Sequence, residues 1–337
     1  MLGFVKRFQV YNLLERLKKS GKRWGIWEIP VAQLSEAGSI RFCNLVQKSS
    51  ETLTNPFSFG GMGASYEEAI LKALSEWAER QAFFSQIESN SYDSFRHTDG
   101  MGAYPVLFPV GWNRENAQKN ARNHALCEAL ERFIWHQWWT QTSIGSKIRK
   151  FFNIDTFLNE FKSPLIKDLI FQIKSLIEIH SINLIEPDWA LTPESDSVVN
   201  KFQKYRSRIL LLKTKDGGFL SGGCFERDEY LAVTRMLGEI FHHAKATWKF
   251  LNAGNNVESI EKLKSIYERR LLFFSLGLGS RLVEDRLNTI GSESVILPNI
   301  AIDTQLSHTF ENEIVIHRCL FKNQPDFLGG GIDKFCI

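Results

Sequence analysis

The 337-residue sequence has few cysteines and prolines and no long apolar run, and each of these shortages excludes a class of protein. Its five cysteines are scattered without CxxC or CxxH spacing, which argues against a disulfide framework and a structural zinc site. The 23 glycines and 9 prolines follow no fixed period, which excludes collagen-like and low-complexity chains. No segment approaches the roughly 18 apolar residues of a membrane span.

An excess of one charge is missing too, since 41 Lys and Arg stand against 38 Asp and Glu, a net charge of +3. A protein that binds nucleic acid is normally far more basic, so we expect no nucleic-acid partner. The N-terminus lacks the apolar run and the small-residue cleavage site of a signal peptide. These features together predict a reduced, cytoplasmic protein with no membrane association.

Apolar residues are abundant, with 43% hydrophobic and 12% aromatic residues, including 26 Phe and 9 Trp. This much apolar area excludes disorder for most of the chain and predicts a large core. Length alone allows one large domain or two. Because no linker rich in Ser, Pro or Gly divides the sequence, we expect a single domain over residues 1–337.

Hydrophobic periodicity predicts an α+β protein. The expected helices cover residues 4–19, 66–87, 115–140, 151–183, 228–250 and 258–275, and the expected strands cover 24–30, 39–47, 209–213 and 313–320. The helix within the basic segment 1–24 either docks on the protein, which we favour, or contacts a membrane or an acidic partner. Residues 58–65 are predicted to form a glycine-rich turn whose N–H groups can face a phosphate.

One helical pattern occurs three times, aligned on Glu76, Glu128 and Glu239. Each copy has Ala seven positions before this glutamate and Leu two positions before it. The first two copies also share Ala at −3, Glu at +3 and Arg at +4, whereas the third has Met, His and His there. The residues at −7, −3, −2, +3 and +4 are Ala69, Ala73, Leu74, Glu79 and Arg80; Ala121, Ala125, Leu126, Glu131 and Arg132; and Ala232, Met236, Leu237, His242 and His243.

Two glutamates three positions apart lie on one helix face, with Cβ atoms about 5–6 Å apart. On a solvated face such residues make only weak surface ion pairs. Here, however, the motif recurs beside apolar and aromatic residues such as Trp135 and Trp138, and buried carboxylates need compensation. Oxygen ligands select hard cations such as Mg²⁺, which commonly also bind phosphates. The pattern therefore predicts a site for Mg²⁺ and a polyphosphate.

These motifs resemble those of the YcaO family, whose pattern has three landmarks. The first is similar to Gly61-Met62-Gly63 followed by residues 72–80. The second is similar to Asn116 with Glu128, Glu131 and Arg132, and the third to Ala232, Arg235, Glu239 and His242. The resemblance covers residues 58–140 for the first two landmarks and 217–250 for the third. It implies a single YcaO-like α+β domain, with mixed or antiparallel sheets and with the E-x2-E-R helices around a central nucleotide site.

The resemblance further implies an enzyme that uses ATP and Mg²⁺ to activate a peptide backbone amide in ribosomal peptide modification. A nucleophile adds to the amide carbonyl, ATP phosphorylates the oxygen, and phosphate leaves to give an azoline, amidine or thioamide. On matching positions, the Mg²⁺ ligands are Glu76, Glu79, Glu128 and Glu131. Arg132 and Arg235 contact phosphate, and Asn116 and Glu239 complete the nucleotide site.

Four positions depart from the family pattern: Met62 replaces a Lys, Lys72 a Ser, Phe133 an Asp and His242 a Gln. Lys72 is a candidate to restore the cation lost at position 62. A second hypothesis is therefore a YcaO-like domain without catalysis that serves as a binding or regulatory subunit of a peptide-modification complex. Under either hypothesis the partners are a peptide substrate and a separate leader-recognition protein, and a homodimer is compatible with the sequence.

Three histidines and one cysteine suggest chemistry but have simpler explanations. His136, His242 and His243 have no carboxylate or histidine at metal-ligand spacing, so packed or surface histidines are expected. Cys224 is expected to be a buried apolar residue rather than a reactive thiol.

Overall fold

The computed structural model describes residues 31–47, 57–88, 100–106, 113–191, 197–263, 266–306, 314–324 and 331–334. The predicted helix at 4–19, the predicted strand at 24–30 and Cys336 lie outside these residues. The chain divides into two compact units, one from residues 1–128 and 301–320 and the other from residues 129–300 and 321–337. None of the helices in the described segments is long and apolar enough to cross a membrane.

The first unit contains two three-stranded antiparallel sheets. One has the order β1-β2-β3, from Val31–Ala37, Ile40–Gln47 and Phe57–Gly63. The other has the order β11-β12-β4, from Ile300–Leu306, Ile314–Phe321 and Gly100–Pro105. Helix α1, Tyr66–Glu88, packs against β3, and its buried Ala69, Ala73 and Trp77 belong to the core of this unit. The strands predicted at 39–47 and 313–320 and the helix predicted at 66–87 are confirmed.

Helix α2, Arg114–Thr140, contributes to both units, because the division falls after Glu128. It confirms the helix predicted at 115–140. Trp135 and Trp138, in the part that belongs to the second unit, are buried as the sequence predicted.

The second unit is built on a four-stranded antiparallel sheet of order β5-β6-β8-β9. Its strands are Ser146–Phe151, Ile179–Pro187, Arg206–Thr214 and Phe219–Glu226. Strands β8 and β9 are joined by a tight turn in which Gly217 has a φ of 87°, a conformation that favours glycine. Ile209, Leu210, Leu211 and Leu212 are fully buried, which confirms the buried strand predicted at 209–213.

Helix α6, Glu229–Asn252, packs against β9 and begins at Asp228, whose side chain accepts the Leu231 N–H over 2.8 Å. It confirms the helix predicted at 228–250. Short elements complete the unit: α3 (Ile154–Glu160), α4 (Pro164–Lys174), β7 (Trp189–Ala190), α5 (Ser197–Asn200), a 3₁₀ helix (Val257–Lys262), α7 (Ile266–Ser275), α8 (Ser280–Asn288) and β10 (Val295–Ile296).

Two predicted helices have different bounds in the structure. The helical pattern over 151–183 is divided, because Pro164 begins a new helix at its N1 position and that helix ends at Lys174. Residues from Ile179 onward form β6, whose Ile182 and Ile185 are buried in the sheet between β5 and β8. The prediction of helix for residues 179–183 was therefore wrong. The helix predicted at 258–275 is interrupted and becomes the 3₁₀ helix and α7.

Candidate functional site

The three aligned motifs lie on α1, α2 and α6, which we call the motif helices. In each of them the alanine at −7 and the leucine at −2 are at most 2% exposed. The aligned glutamates Glu76, Glu128 and Glu239 are only half-buried. The repeated pattern thus gives each motif helix one core-facing side, with its glutamate at the margin of that side.

The first motif helix lies directly on the backbone of β3. A Cβ atom at Gly61 would lie 1.8 Å from the carbonyl oxygen of Ala69 and 2.6 Å from the amide nitrogen of Ala73. Only glycine permits this approach, and the two alanines leave room on the helix side. Residues 58–63 are thus part of a strand, and only Ala64 and Ser65 form the turn before α1. The predicted glycine-rich turn over 58–65 was wrong, because these glycines serve helix packing.

The second and third motif helices repeat this packing on β4 and β9. A Cβ atom at Gly102 would lie 2.1 Å from the carbonyl oxygen of Ala121 and 2.7 Å from the amide nitrogen of Ala125. These alanines occupy the same motif positions as those facing Gly61. In the third copy, a Cβ atom at Gly222 would lie 2.4 Å from the carbonyl oxygen of Met236. In this copy the nearest carbonyl oxygen belongs to the residue at −3, whereas in the first two copies it belongs to the alanine at −7.

The aligned glutamate of each motif accepts a hydrogen bond from the strand beneath its helix. The Gly60 N–H donates to Glu76 over 3.0 Å, the Met101 N–H to Glu128 over 2.6 Å, and the Gly223 N–H to Glu239 over 2.9 Å. Strands β3, β4 and β9 each lie at the end of the strand order of their sheet, as far as the described strands extend. The motif carboxylates therefore satisfy amide groups at sheet edges, where backbone donors otherwise need water or another strand.

The glutamate at +3 in the first motif is held in the same way as the aligned glutamates. The Ala103 N–H donates to Glu79 over 2.9 Å. Ala103 and Met101 lie two positions apart on β4, so their amides are about 7 Å apart along the strand. The structure thus brings Glu79 and Glu128, predicted as magnesium ligands from two different motifs, to one strand of the first unit.

In the second unit, Glu131 and Glu239 come together at β9. One carboxylate oxygen of Glu131 lies 3.1 Å from the position that a Cβ atom on Gly223 would take, and the N–H of the same glycine donates to Glu239. His242, the third motif's residue at +3, is exposed on α6.

Cys224 lies buried beside these carboxylates, and their negative charge affects the pKa of its thiol. Burial first, and then the negative charge of Glu131, raise the pKa of its thiol well above the ordinary value. Glu239 adds a smaller effect of the same sign, and Arg235 opposes it. The prediction that Cys224 is a buried residue is confirmed. Because the thiolate is the reactive form, the raised pKa also predicts low reactivity.

The predicted phosphate and nucleotide ligands have separate environments. A guanidinium nitrogen of Arg235 lies 3.0 Å from a carboxylate oxygen of Glu226, at the end of β9. Arg132 is half-buried, one position after Glu131. Asn116 is exposed in the first turn of α2, where its backbone N–H donates to the Asn113 side chain over 2.9 Å. Arg235, Glu131 and Glu239, all in the second unit, each affect the pKa of Cys224. Asn116 belongs to the first unit.

Lys72 lies next to the strand residue with which the sequence paired it. Its ammonium group donates to the Met62 carbonyl oxygen over 2.9 Å and lies 2.8 Å from a Glu68 carboxylate oxygen. About half of the Lys72 side chain is exposed. A cation therefore lies beside Met62 although position 62 itself carries none.

The donor atoms predicted for Mg²⁺ are all carboxylate oxygens, the type that this ion prefers. The described part of the chain contains no group of three or more His, Cys, Asp or Glu side chains that could hold a metal ion by themselves. Mg²⁺ in nucleotide sites is usually bound by one or two carboxylates together with phosphates, so a cage of three protein ligands is not required. The glutamate chemistry is thus compatible with an ion that arrives with a nucleotide, and the ligand assignment stays a prediction.

The backbone donors of Gly60, Met101, Ala103 and Gly223 were not predicted from the sequence. The available signal was a small-residue segment upstream of each motif helix, since residues 60–63, 100–103 and 222–223 are rich in glycine. Such residues inside a strand indicate close approach of another backbone. Their low strand propensity instead favoured turns and left β4 without a prediction.

No sequence profile of a protein family matches the chain, and no curated protein matches it. Several solved structures are similar to it, among them the three that follow. YcaO from Methanopyrus kandleri, bound with AMPPCP and Mg²⁺, has 13% sequence identity and a TM-score of 0.51, covering 94% of this chain and 91% of that one. The E. coli microcin synthetase McbBCD complex has 14% identity and a TM-score of 0.49, covering 85% and 86%. The same complex with pro-MccB17 bound has 16% identity and a TM-score of 0.49, covering 86% of each chain.

The similarity to the Methanopyrus kandleri protein extends over nearly the whole of both chains. It agrees with the α+β class and the antiparallel sheets. The fold that the motifs implied is thereby confirmed: this chain has the fold of the YcaO proteins.

Proposed function

We propose that this chain is a YcaO-type enzyme that binds ATP with Mg²⁺ and activates a backbone amide of a peptide. The observation that carries the proposal is the recurrence of one arrangement in three motifs: a glutamate on a helix, fixed by an amide of the strand beneath it. Surface ion pairs contribute little to stability, so they give no reason for the same carboxylate arrangement to occur in three motifs. The similar YcaO structure, which was solved with an ATP analogue and Mg²⁺, supports the same nucleotide and ion for this chain.

The proposed ligands are divided by chemistry. Glu76, Glu79, Glu128 and Glu131 provide the carboxylate oxygens for Mg²⁺. Arg132 and Arg235 provide guanidinium groups, which suit phosphate oxygens because their donors form a planar fork. Asn116, Glu239 and Lys72 complete the nucleotide contacts.

Bound ATP would supply the phosphoryl group that makes the amide oxygen a leaving group. The chain's own residues have to position the nucleotide and neutralise its charge, since these effects provide most of the catalysis in phosphoryl transfer. Arg235 is held by Glu226 and is therefore pre-oriented, but it has to exchange this carboxylate for phosphate. The proposed product is an azoline, an amidine or a thioamide, depending on the nucleophile that adds to the amide carbonyl.

The proposed substrate is a ribosomally made peptide delivered by a separate leader-recognition protein, in the cytoplasm. One of the similar structures is a microcin synthetase complex with pro-MccB17 bound. The proposal of a peptide substrate and of its delivery rests on the motifs that resemble those of the YcaO family. A homodimer is compatible with this proposal.

A second candidate function is a nucleotide-independent binding subunit of a modification complex. It is favoured by the pairing of two proposed phosphate ligands with carboxylates, Arg235 with Glu226 and Lys72 with Glu68. Both cations are already neutralised, which lowers their attraction for phosphate. The replacement of the family's Lys and Gln by Met62 and His242 points in the same direction.

Calorimetric titration of the full chain with Mg²⁺-ATP distinguishes the two candidates. We expect micromolar binding by the native chain and a loss of at least about tenfold, ~1.4 kcal/mol, in Glu131→Gln, which removes one carboxylate charge but keeps the side-chain shape. Glu258→Gln is the matched control, because Glu258 is exposed on the 3₁₀ helix, outside the motifs. Its affinity should equal that of the native chain.

Two results would overturn the enzyme proposal. If the folded native chain binds no Mg²⁺-ATP, the chain has the fold without the nucleotide, and the second candidate stands. If Glu131→Gln binds as tightly as the native chain, nucleotide binds elsewhere and the motif assignment is wrong. Native binding that is lost in Glu131→Gln would justify assays with precursor peptides.

A further inference from the structure

We propose that the sheet-edge amides of Gly60, Met101 and Gly223 are positioning groups for the aligned glutamates of their own motifs, and that Gly61, Gly102 and Gly222 bring each helix close enough for these hydrogen bonds. This inference rests on the proposed function for its catalytic meaning. Its geometric part can be tested without any nucleotide. None of these six residues carries a side chain that sequence motifs would assign to chemistry.

The hydrogen bonds from the strand amides restrict the glutamates, because they hold one carboxylate oxygen of each against a strand of a sheet. A glutamate on a helix surface normally samples several rotamers, and ordering it costs free energy when it binds an ion. A hydrogen bond from a strand amide to a carboxylate is charge-assisted and stronger than a neutral one. The free energy needed to order each glutamate is thus spent during folding, so that less binding free energy is lost when a cation binds.

The neighbouring glycine is what permits the bond. Gly61 precedes α1 on β3 and lies under the carbonyl oxygen of Ala69, one residue after the donor Gly60. Gly102 likewise follows the donor Met101. In the third copy the order is reversed, because Gly222 precedes the donor Gly223. All three donors are nevertheless adjacent to the residue of closest approach.

In the first two copies the residues at −7 and −3 flank this contact. The aligned glutamate lies seven residues after the first of them, about two helical turns, and three residues after the second. A helix lifted from the strand by one methyl group would therefore carry its glutamate away from the amide. This accounts for the joint occurrence of glycine in the strand with alanine and glutamate in the helix. The repeated unit is thus a strand and a helix together.

The first test is magnetic resonance of the full chain labelled with ¹⁵N-methionine, without nucleotide. Only four methionines are present, and Met101→Leu identifies the Met101 signal. We expect its amide proton far downfield, because the bond to Glu128 is short and charge-assisted. Glu128→Gln and Glu128→Asp should both move it upfield, the first by removing the charge and the second by shortening the reach. Glu115→Gln, an exposed residue of the same helix, should leave it unchanged.

The second test compares Gly61 with a glycine outside the motifs. In Gly61→Ala the new methyl group meets the backbone of α1, whereas in Gly254→Ala, just after α6, it meets no atom within 4 Å and costs only the strain of a positive φ. We expect Mg²⁺-ATP affinity to fall by about tenfold or more in Gly61→Ala, because small displacements of positioned groups have large effects, and to stay near the native value in Gly254→Ala. If Gly61→Ala does not fold, the Met101 experiment alone decides.

The outcomes separate this inference from the proposed function. A Met101 signal that does not respond to Glu128→Gln overturns the positioning role, whether or not ATP binds. A signal that responds, in a chain that binds no ATP, supports the positioned carboxylates and overturns the nucleotide function instead. Equal ATP affinity of folded Gly61→Ala and the native chain would overturn the role given to the glycines.

Discussion

The ammonium group of Lys72 donates to the carbonyl oxygen of Met62 over 2.9 Å, so a helix residue returns a positive charge to the strand position where YcaO sequences carry lysine. Both residues depart from the family pattern, and the structure makes them neighbours. Exchange of a cation between a strand and the helix that covers it is physically simple, because a lysine side chain is long and flexible.

This contact predicts that Lys72→Met weakens Mg²⁺-ATP binding by about tenfold, ~1.4 kcal/mol, and that adding Met62→Lys restores most of it. The reason is that either position can supply one positive charge near the phosphates. Calorimetry on the native chain, the single variant and the double variant tests this. A double variant as weak as Lys72→Met would show that the two positions are not equivalent.

Arg286 should be a major contributor to the stability of the second unit. This arginine is only 5% exposed and donates to the carbonyl oxygens of Trp138 over 2.6 Å and Ile144 over 2.9 Å. Its guanidinium also lies 4.4 Å from the Trp138 ring centre. Arg286→Met would leave these carbonyls without their donor, at a cost of about 2–4 kcal/mol in the free energy of unfolding. Urea denaturation measures it, with the exposed Arg281→Met as a control within about 0.5 kcal/mol of native.

His243 should make the second unit less stable in acid. The ring is buried, donates through Nδ1 to the Ser221 carbonyl oxygen and accepts at Nε2 from the Tyr267 hydroxyl. Burial is the main cause that lowers its pKa from 6.5 to about 4. Between pH 6.5 and 4, His243 is therefore protonated in the unfolded chain and neutral in the folded chain. Stability from this residue is complete above pH 6.5 and falls by up to about 3 kcal/mol as the pH drops to 4.

Denaturation curves at pH 7 and pH 4.5 check this prediction when the native chain is compared with His243→Gln. His136, whose pKa burial also lowers to about 4, contributes the same trend to both proteins and cancels in the comparison. The variant should lose less stability than the native chain between the two pH values. Equal losses of stability in the two proteins would mean that the pKa of His243 is not lowered in the folded protein.

The cysteines should differ strongly in their reactivity toward alkylating reagents. Cys43, Cys224 and Cys319 are buried, and burial raises the pKa of Cys43 to about 11. Because the thiolate is the reactive form, these three should be modified only on unfolding, whereas the half-buried Cys127 should react earlier. Mass spectrometry of iodoacetamide-treated native protein measures the order. Rapid labelling of Cys224 would contradict its assignment as a buried apolar residue.

Local sequence patterns were sufficient for the three long motif helices but for only a few of the described strands. Helices α1, α2 and α6 followed from periodicity, since their apolar residues recur at helical spacing over more than twenty positions. The strand around Ile209–Leu212 followed from a run of large apolar residues. Residues 179–183 were misassigned because Ile and Leu occur in both helices and strands, and only the neighbours β5 and β8 select the strand.

The sequence by itself determined the identity and register of the motif glutamates, because a helix converts residue spacing directly into position on a face. It also indicated the YcaO fold, which the structural similarity confirms. Only the tertiary structure decided which groups bind those glutamates. Gly60, Met101, Ala103 and Gly223 act through backbone N–H groups, which every residue except proline possesses and which no sequence pattern can assign. Whether a glycine lies in a turn or in a strand beneath a closely packed helix likewise depends on what packs against it, and that partner lies elsewhere in the chain.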